Sequence, residues 1–242
     1  MSAQGFWRRI RLTPAPGVIQ ADVEDDFHCM TVLLHHEQGK ATDVIADLQR
    51  APWSTCPGAP AELVKTFKGQ ALSEFPTVGQ KHTHCTHLYD LALLAARHAG
   101  DDTPTIYDIQ VSDPVNEHRQ AEIKRNQRSL LCWKESGFHI VEPKGAAGIR
   151  LDKLRVWIDT LAPELQEPAR LLQWGNMLAN GRIIPLEKQS DATKMPASCY
   201  TFQPERAVVA TRIGLIRDFS QGDGTPLDDV SVSVSTKTTI EF

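Results

Sequence analysis

His82, His84, Cys85 and His87 put three imidazoles and a thiol within six residues of the stretch Gln80-Lys81-His82-Thr83-His84-Cys85-Thr86-His87-Leu88-Tyr89-Asp90. Such groups move protons, attack electrophiles or bind transition metals near neutral pH. The stretch runs into an apolar pattern, Leu88, Leu91, Ala92, Leu94 and Ala95, and Gly100 stops it. Spacing of three and four residues predicts a buried helix, so the reactive groups stand at its mouth. The first helical turn leaves its N–H groups unpaired, and the peptide dipoles add there. Thr86 is the expected N-cap, with Cys85 just outside and His87 just inside. At that place a thiol is expected to ionise more easily than usual. His87 is expected to favour its neutral form, a usable base or ligand.

A second imidazole comes from an earlier element. Phe27 to His35 predicts a central strand, with His28 at its start on a core-facing side and Asp26 or a backbone carbonyl placed to orient its ring. Glu37-Gln38-Gly39-Lys40 makes a turn, and Ala41 to Gln49 returns antiparallel. A hairpin brings its two open ends together, so Arg50 comes back beside His28. His35 and His36 lie at the far end, over ~20 Å from His28 at about 3.3 Å per residue, and belong to no shared site. The proline-rich loop Ala51-Pro52-Trp53-Ser54-Thr55-Cys56-Pro57-Gly58 stays extended and carries Cys56 toward the same end. A loop of about fifteen residues then delivers the His82–His87 cluster, and loops of that length are often functional.

The predicted convergence suits acid–base chemistry of the lyase or hydratase type, without an organic cofactor. His28 and His87 are the expected base and acid, with Cys85 or Cys56 as a polar or nucleophilic helper. Phe27, Trp53, Tyr89 and Arg50 are the expected substrate-binding groups, suited to a small apolar or aromatic molecule. Two other readings stand beside this one. His28, His84, Cys85 and His87 offer zinc- or iron-type ligands for a divalent metal. In a scaffold protein, the same Cys and His would merely pack. Other cofactor classes lack their signs. No G-x-G-x-x-G, G-x-x-x-x-G-K-[ST], G-x-S-x-G or H-E-x-x-H occurs.

Cys85-Thr86-His87-Leu88 before an apolar helix resembles the G-C-T-H-L segment of a bacterial domain-of-unknown-function family, number 2889. Asp26-Phe27-His28 at a strand start, and Pro52 with Cys56, are similar to further parts of that family. The resemblance covers roughly residues 6 to 100, with His84 standing where the family usually has Gly. It implies that His28, Cys85 and His87 matter, and it implies no particular reaction.

The 242 residues are 41% hydrophobic and 23% charged, with a net charge of −4, as in ordinary globular proteins. No broad basic field exists, which argues against nucleic acid as a partner. Arg8-Arg9-Ile10-Arg11, the one tight basic group, reads as the polar face of a first strand. No stretch approaches the roughly twenty apolar residues of a membrane span, and no signal-peptide core follows Met1. Five scattered cysteines without a C-x-x-C pair point to a reducing cytoplasm rather than a disulfide framework.

The fold expected is α+β, an antiparallel β-meander packed against helices, with a second β segment and a C-terminal helical hairpin. Residues 1–100 would carry the site. Residues 101–219 would hold the second meander, an amphipathic helix over 151–162, a helix opening at Pro168 and a strand over 208–216. The helix pair would cover a sheet face or pair with a second subunit as a homodimer. Residues 220–242 read as a poorly ordered or edge-bound tail.

Overall fold

The computed structural model describes residues 4–234. The chain packs as two compact units that are not consecutive in sequence. The larger takes in Ile10–Thr105, Leu186–Ile216 and the described residues 227–234; the smaller takes in the described residues 4–9, Ile106–Pro185 and Arg217–Pro226. The fold is α+β, built on an antiparallel meander. Its strands are β1 (Gly5–Ala15), β2 (Val18–Asp25), β3 (Cys29–Glu37), β4 (Lys40–Arg50), β5 (Thr105–Ser112), β6 (His118–Arg125), β7 (Arg128–Ser136) and β8 (His139–Glu142). They lie in one sheet in the order β4-β3-β2-β1-β5-β6-β7-β8, so the expected second β segment continues the first. The hairpin turns carry pairs of residues with positive φ: Gln38-Gly39, Asn116-Glu117, Asn126-Gln127 and Gly137-Phe138. Such left-handed pairs match the strand twist.

In the larger unit, α1 (Ala59–Phe67) lies on β4, and α2 (Thr86–His98) lies on β2 and β3. Alternation along the strands sets the core. Ile19, Ala21 and Val23 of β2 and Met30, Val32 and Leu34 of β3 are buried with Leu88, Leu91, Ala92 and Ala95 of α2. The other face of β2 is polar and equally buried. Asp22 there accepts hydrogen bonds from Arg11 at 2.9 Å, Gln20 at 2.9 Å and Thr31 at 2.7 Å. The chain near Val230 covers this face: Arg11 donates to Val230 O, Gln20 donates to Ser231 O, and Leu227 N donates to the Glu24 carboxylate. The tail expected to be poorly ordered or edge-bound is held against β2 as far as Ser233, whose N–H donates to Gln20. Residues 235–242 of that expectation lie outside the described residues.

In the smaller unit, α4 (Pro163–Leu178) packs on β6 and β7, and Trp133 Nε1 donates to Asn176 Oδ1 at 2.8 Å. Arg8 corrects the sequence reading of a polar first-strand face. It is buried, and its guanidinium sits 4.1 Å from the centre of the Trp174 ring. A flat, weakly hydrated cation can stack on indole in this way. The expected 151–162 helix is also broken, into a 3₁₀ turn at Leu151–Lys153 and the short α3 (Arg155–Ile158). Ala162 is extended because Pro163 follows it, and Pro163 rather than Pro168 opens α4. No long helical hairpin results. The expected 208–216 strand is an irregular segment that opens in a turn at Val208 and makes one bridge, Trp53 to Arg212. Gly214 within it has φ +96.

Gly5 marks the closest backbone approach in the smaller unit. A Cβ built there would run into the main-chain carbonyl oxygen of Val111. Replacing Gly5 with Ala is expected to cost about 1–3 kcal/mol, as forced overpacking does. Urea unfolding of the variant reads this directly, and an unchanged midpoint would contradict the packing described.

Candidate active site

Strand β2 ends at Asp25 and β3 starts at Cys29, so Asp26, Phe27 and His28 form the turn between them. The turn is built around one carboxylate. Asp25 Oδ1 accepts from Phe27 N at 2.8 Å, from His28 N at 2.9 Å and from His28 Nδ1 at 2.9 Å. Asp25 N in turn donates to His28 O at 2.9 Å. An Asp side chain that bonds the backbone two and three residues on is a standard way to close a tight turn. Asp25 is fully buried, so these bonds replace its hydration. With the carboxylate ionised, the network assigns the shared hydrogen to His28 Nδ1 and leaves Nε2 as base or ligand.

The orienting residue is thus Asp25 and not Asp26, as the sequence reading expected. One residue of register separates them. The acidic run Glu24-Asp25-Asp26 signals a turn but not which member points into it. Asp26 instead presents its main-chain carbonyl to Arg50.

His87 arrives from the other side, as the second residue of α2. Its ring stacks on that of His28, with centroids 3.9 Å apart and 29° between planes. Both are nearly buried, at 8% exposure for His28 and 7% for His87. Asp25, His28 and His87 each offer one ligand-type atom, and the three atoms lie within 4.8 Å of one another. The expected meeting of the hairpin's open end with the helix mouth occurs, and it occurs ring on ring.

The cysteines do not join as expected. Cys85, not Thr86, holds the N-cap position of α2, and no side chain caps this end. Instead of easy ionisation, burial pushes the Cys85 thiol up to about 12. The helix-start N–H groups of His87 and Leu88 act in the opposite sense but lose to desolvation. The Cys85 sulfur rests 3.9 Å from Met30 Sδ. Burial likewise pushes the Cys56 thiol up; its Sγ lies 3.3 Å from Thr201 Oγ1. Neither thiol is a ready nucleophile. His84 is buried, and burial holds its pKa below the usual imidazole range; its Nε2 lies 3.3 Å from Thr66 Oγ1 and its ring leans on Tyr89.

The aromatics divide. Phe27 lies edge-on to His28, with centroids 6.3 Å apart. Trp53 is packed in a satellite core with Ala192 and Ala207 and an edge-on Phe202, so it is a structural residue. Tyr89 donates its hydroxyl to Val78 O and is buried against Phe67. Arg50 donates to main-chain carbonyls of the 25–28 turn.

The thiol assignment has two measurable consequences. At mildly alkaline pH an alkylating reagent is expected to label exposed Cys132 in the native protein, and Cys85 only on unfolding; peptide mapping with equal labelling of both would refute it. Folding also holds a proton on Cys85 that the unfolded chain releases. Stability therefore falls as pH rises from the ordinary thiol value of 9.0 toward about 12. Denaturation midpoints of wild type and Cys85→Ala across that range should converge. No family model matches the chain, and no curated protein is similar to it.

Proposed function

We propose that the chain is a lyase- or hydratase-type enzyme whose acid–base pair is His28 and His87, with Asp25 orienting His28. The observation that carries this reading is the stacked pair itself, one ring held by a buried carboxylate. The stacked rings set two imidazoles side by side at one turn. A pair that holds one proton contains a base and an acid at once.

The chemistry is an elimination. The neutral ring takes a proton from the carbon beside an electron-withdrawing group. The freed electron pair forms the C=C bond as the C–O bond breaks. The cationic ring protonates the departing hydroxyl, and water leaves. Rings 3.9 Å apart admit no substrate between them. Base and acid would therefore work from one side of the substrate, which favours syn elimination. Phe27 beside His28 suits an apolar or aromatic substrate body. Cys85 and Cys56 stay protonated and take no part.

A panel of small aromatic 3-hydroxy acids and their unsaturated counterparts tests the proposal, since dehydration creates a conjugated double bond visible in the ultraviolet. His28→Gln and His87→Gln should each lower turnover by about 10²–10⁴-fold while the fold is kept. Full turnover in both folded variants would end the proposal.

One observation favours a second reading. Two imidazoles and a carboxylate with donor atoms within 4.8 Å form a set that binds divalent iron or zinc. Asp25, His28 and His87 would hold the ion, which would supply Lewis acidity, and a metal on His28 Nδ1 would displace its bond to Asp25. Elemental analysis of untagged protein decides between the two. Stoichiometric metal that is lost in His87→Ala favours the metal; only trace metal favours the proton pair.

A further inference from the structure

Strand β4 ends in an irregularity that serves the site. Its register with β3 runs Met30↔Leu48 and then jumps to Cys29↔Arg50, so Gln49 is an extra residue. A bulge of this kind kinks the strand and re-aims the side chain next to it. Here that side chain is Arg50, which reaches across to the turn carrying Asp25 and His28. Its Nη1 donates to Asp26 O at 2.7 Å. Its Nη2 donates to Asp25 O at 2.6 Å and approaches His28 O at 3.3 Å. The same Nη2 lies 3.0 Å from Glu24 Oε1. One guanidinium thus spans the carbonyls of three of the turn's residues and the carboxylate before it.

The anchor is itself held. Glu24 is buried, and its other oxygen, Oε2, accepts from Leu227 N at 2.6 Å. Each Glu24 oxygen therefore has a donor, and the Arg50 side chain is only 12% exposed. Charge-assisted bonds in such a place are strong and geometrically demanding. A planar fork can serve several carbonyls together, which a lysine ammonium on a flexible stem cannot.

We infer that Arg50 is a positioning residue, locking the 25–28 turn so that Asp25 keeps His28 in one tautomer and one orientation against His87. Glu24 and the backbone at Leu227 hold Arg50 in place. This deepens the acid–base proposal, and the role expected of Arg50 from sequence, substrate binding, gives way to it. The hydrogen bonds of Arg50 run to main-chain carbonyls and to the Glu24 carboxylate, and it acts through them. Bulk folding does not report such a role, whereas the tautomer of His28 does.

The test uses the full chain with ¹⁵N-labelled histidine and needs no substrate. Long-range imidazole correlation spectra of the wild type should show His28 with hydrogen on Nδ1. In Arg50→Met that signature should be lost or averaged, and the amide hydrogens of Phe27 and His28 should exchange at least about tenfold faster. Arg11→Met, which removes another partly buried cation of the same unit, should leave both readouts unchanged. Should Arg50→Met fail to fold, Arg50→Lys and Glu24→Gln take its place under the same criteria. A folded variant that keeps the wild-type tautomer and exchange rates overturns the inference. Failure of the acid–base proposal looks different: His28→Gln would stay active while the Arg50 variants still lost the tautomer signature.

Discussion

One carboxylate oxygen with three donors organises the end of the larger unit that carries the candidate site. Asp25 Oδ1 closes the β2–β3 turn through two backbone N–H groups and fixes an imidazole through the third. A buried carboxylate is tolerated only when its desolvation is offset by such bonds. The turn's shape and the ring's direction are thus settled by the same atom. The placement of the ring on His87 and the relevance of Arg50 follow from it.

Around that atom lies a layered arrangement of buried polar groups. Gln20, Asp22 and Glu24 project from one face of β2, and Arg11, Thr31, Arg50 and the chain near Val230 satisfy them. The apolar face of the same strand packs under α2. β2 therefore joins two kinds of packing, one nonspecific and one dependent on exact partners. Polar networks of this kind specify a single arrangement more than they add net stability. A site needing two rings in register benefits from that specificity.

Cys85 illustrates how competing local rules are decided by magnitude. A helix start favours a thiolate, while burial penalises it. Sequence shows the helix start and hides the burial. The α2 entry packs against β3, Met30 closes over the sulfur, and desolvation wins.

Much of this architecture was legible in residue pattern. Alternating apolar residues located β2, β3 and β4, the three- and four-residue spacing located α2, and the hairpin argument brought residue 50 back beside residue 28. The convergence of His28 with His87 needed only those elements and their ends. Tertiary structure alone decided three things. It chose Asp25 over Asp26, because a one-residue turn register is invisible in an acidic run. It turned Arg50, expected to bind substrate, onto the main-chain carbonyls of the 25–28 turn, because the bulge at Gln49 appears only in strand pairing. It kept the thiols protonated, because burial is a property of what packs on a residue and not of its neighbours in sequence. Periodicity is local and survives in the sequence; register, bulges and desolvation arise between distant segments, and only the folded chain expresses them.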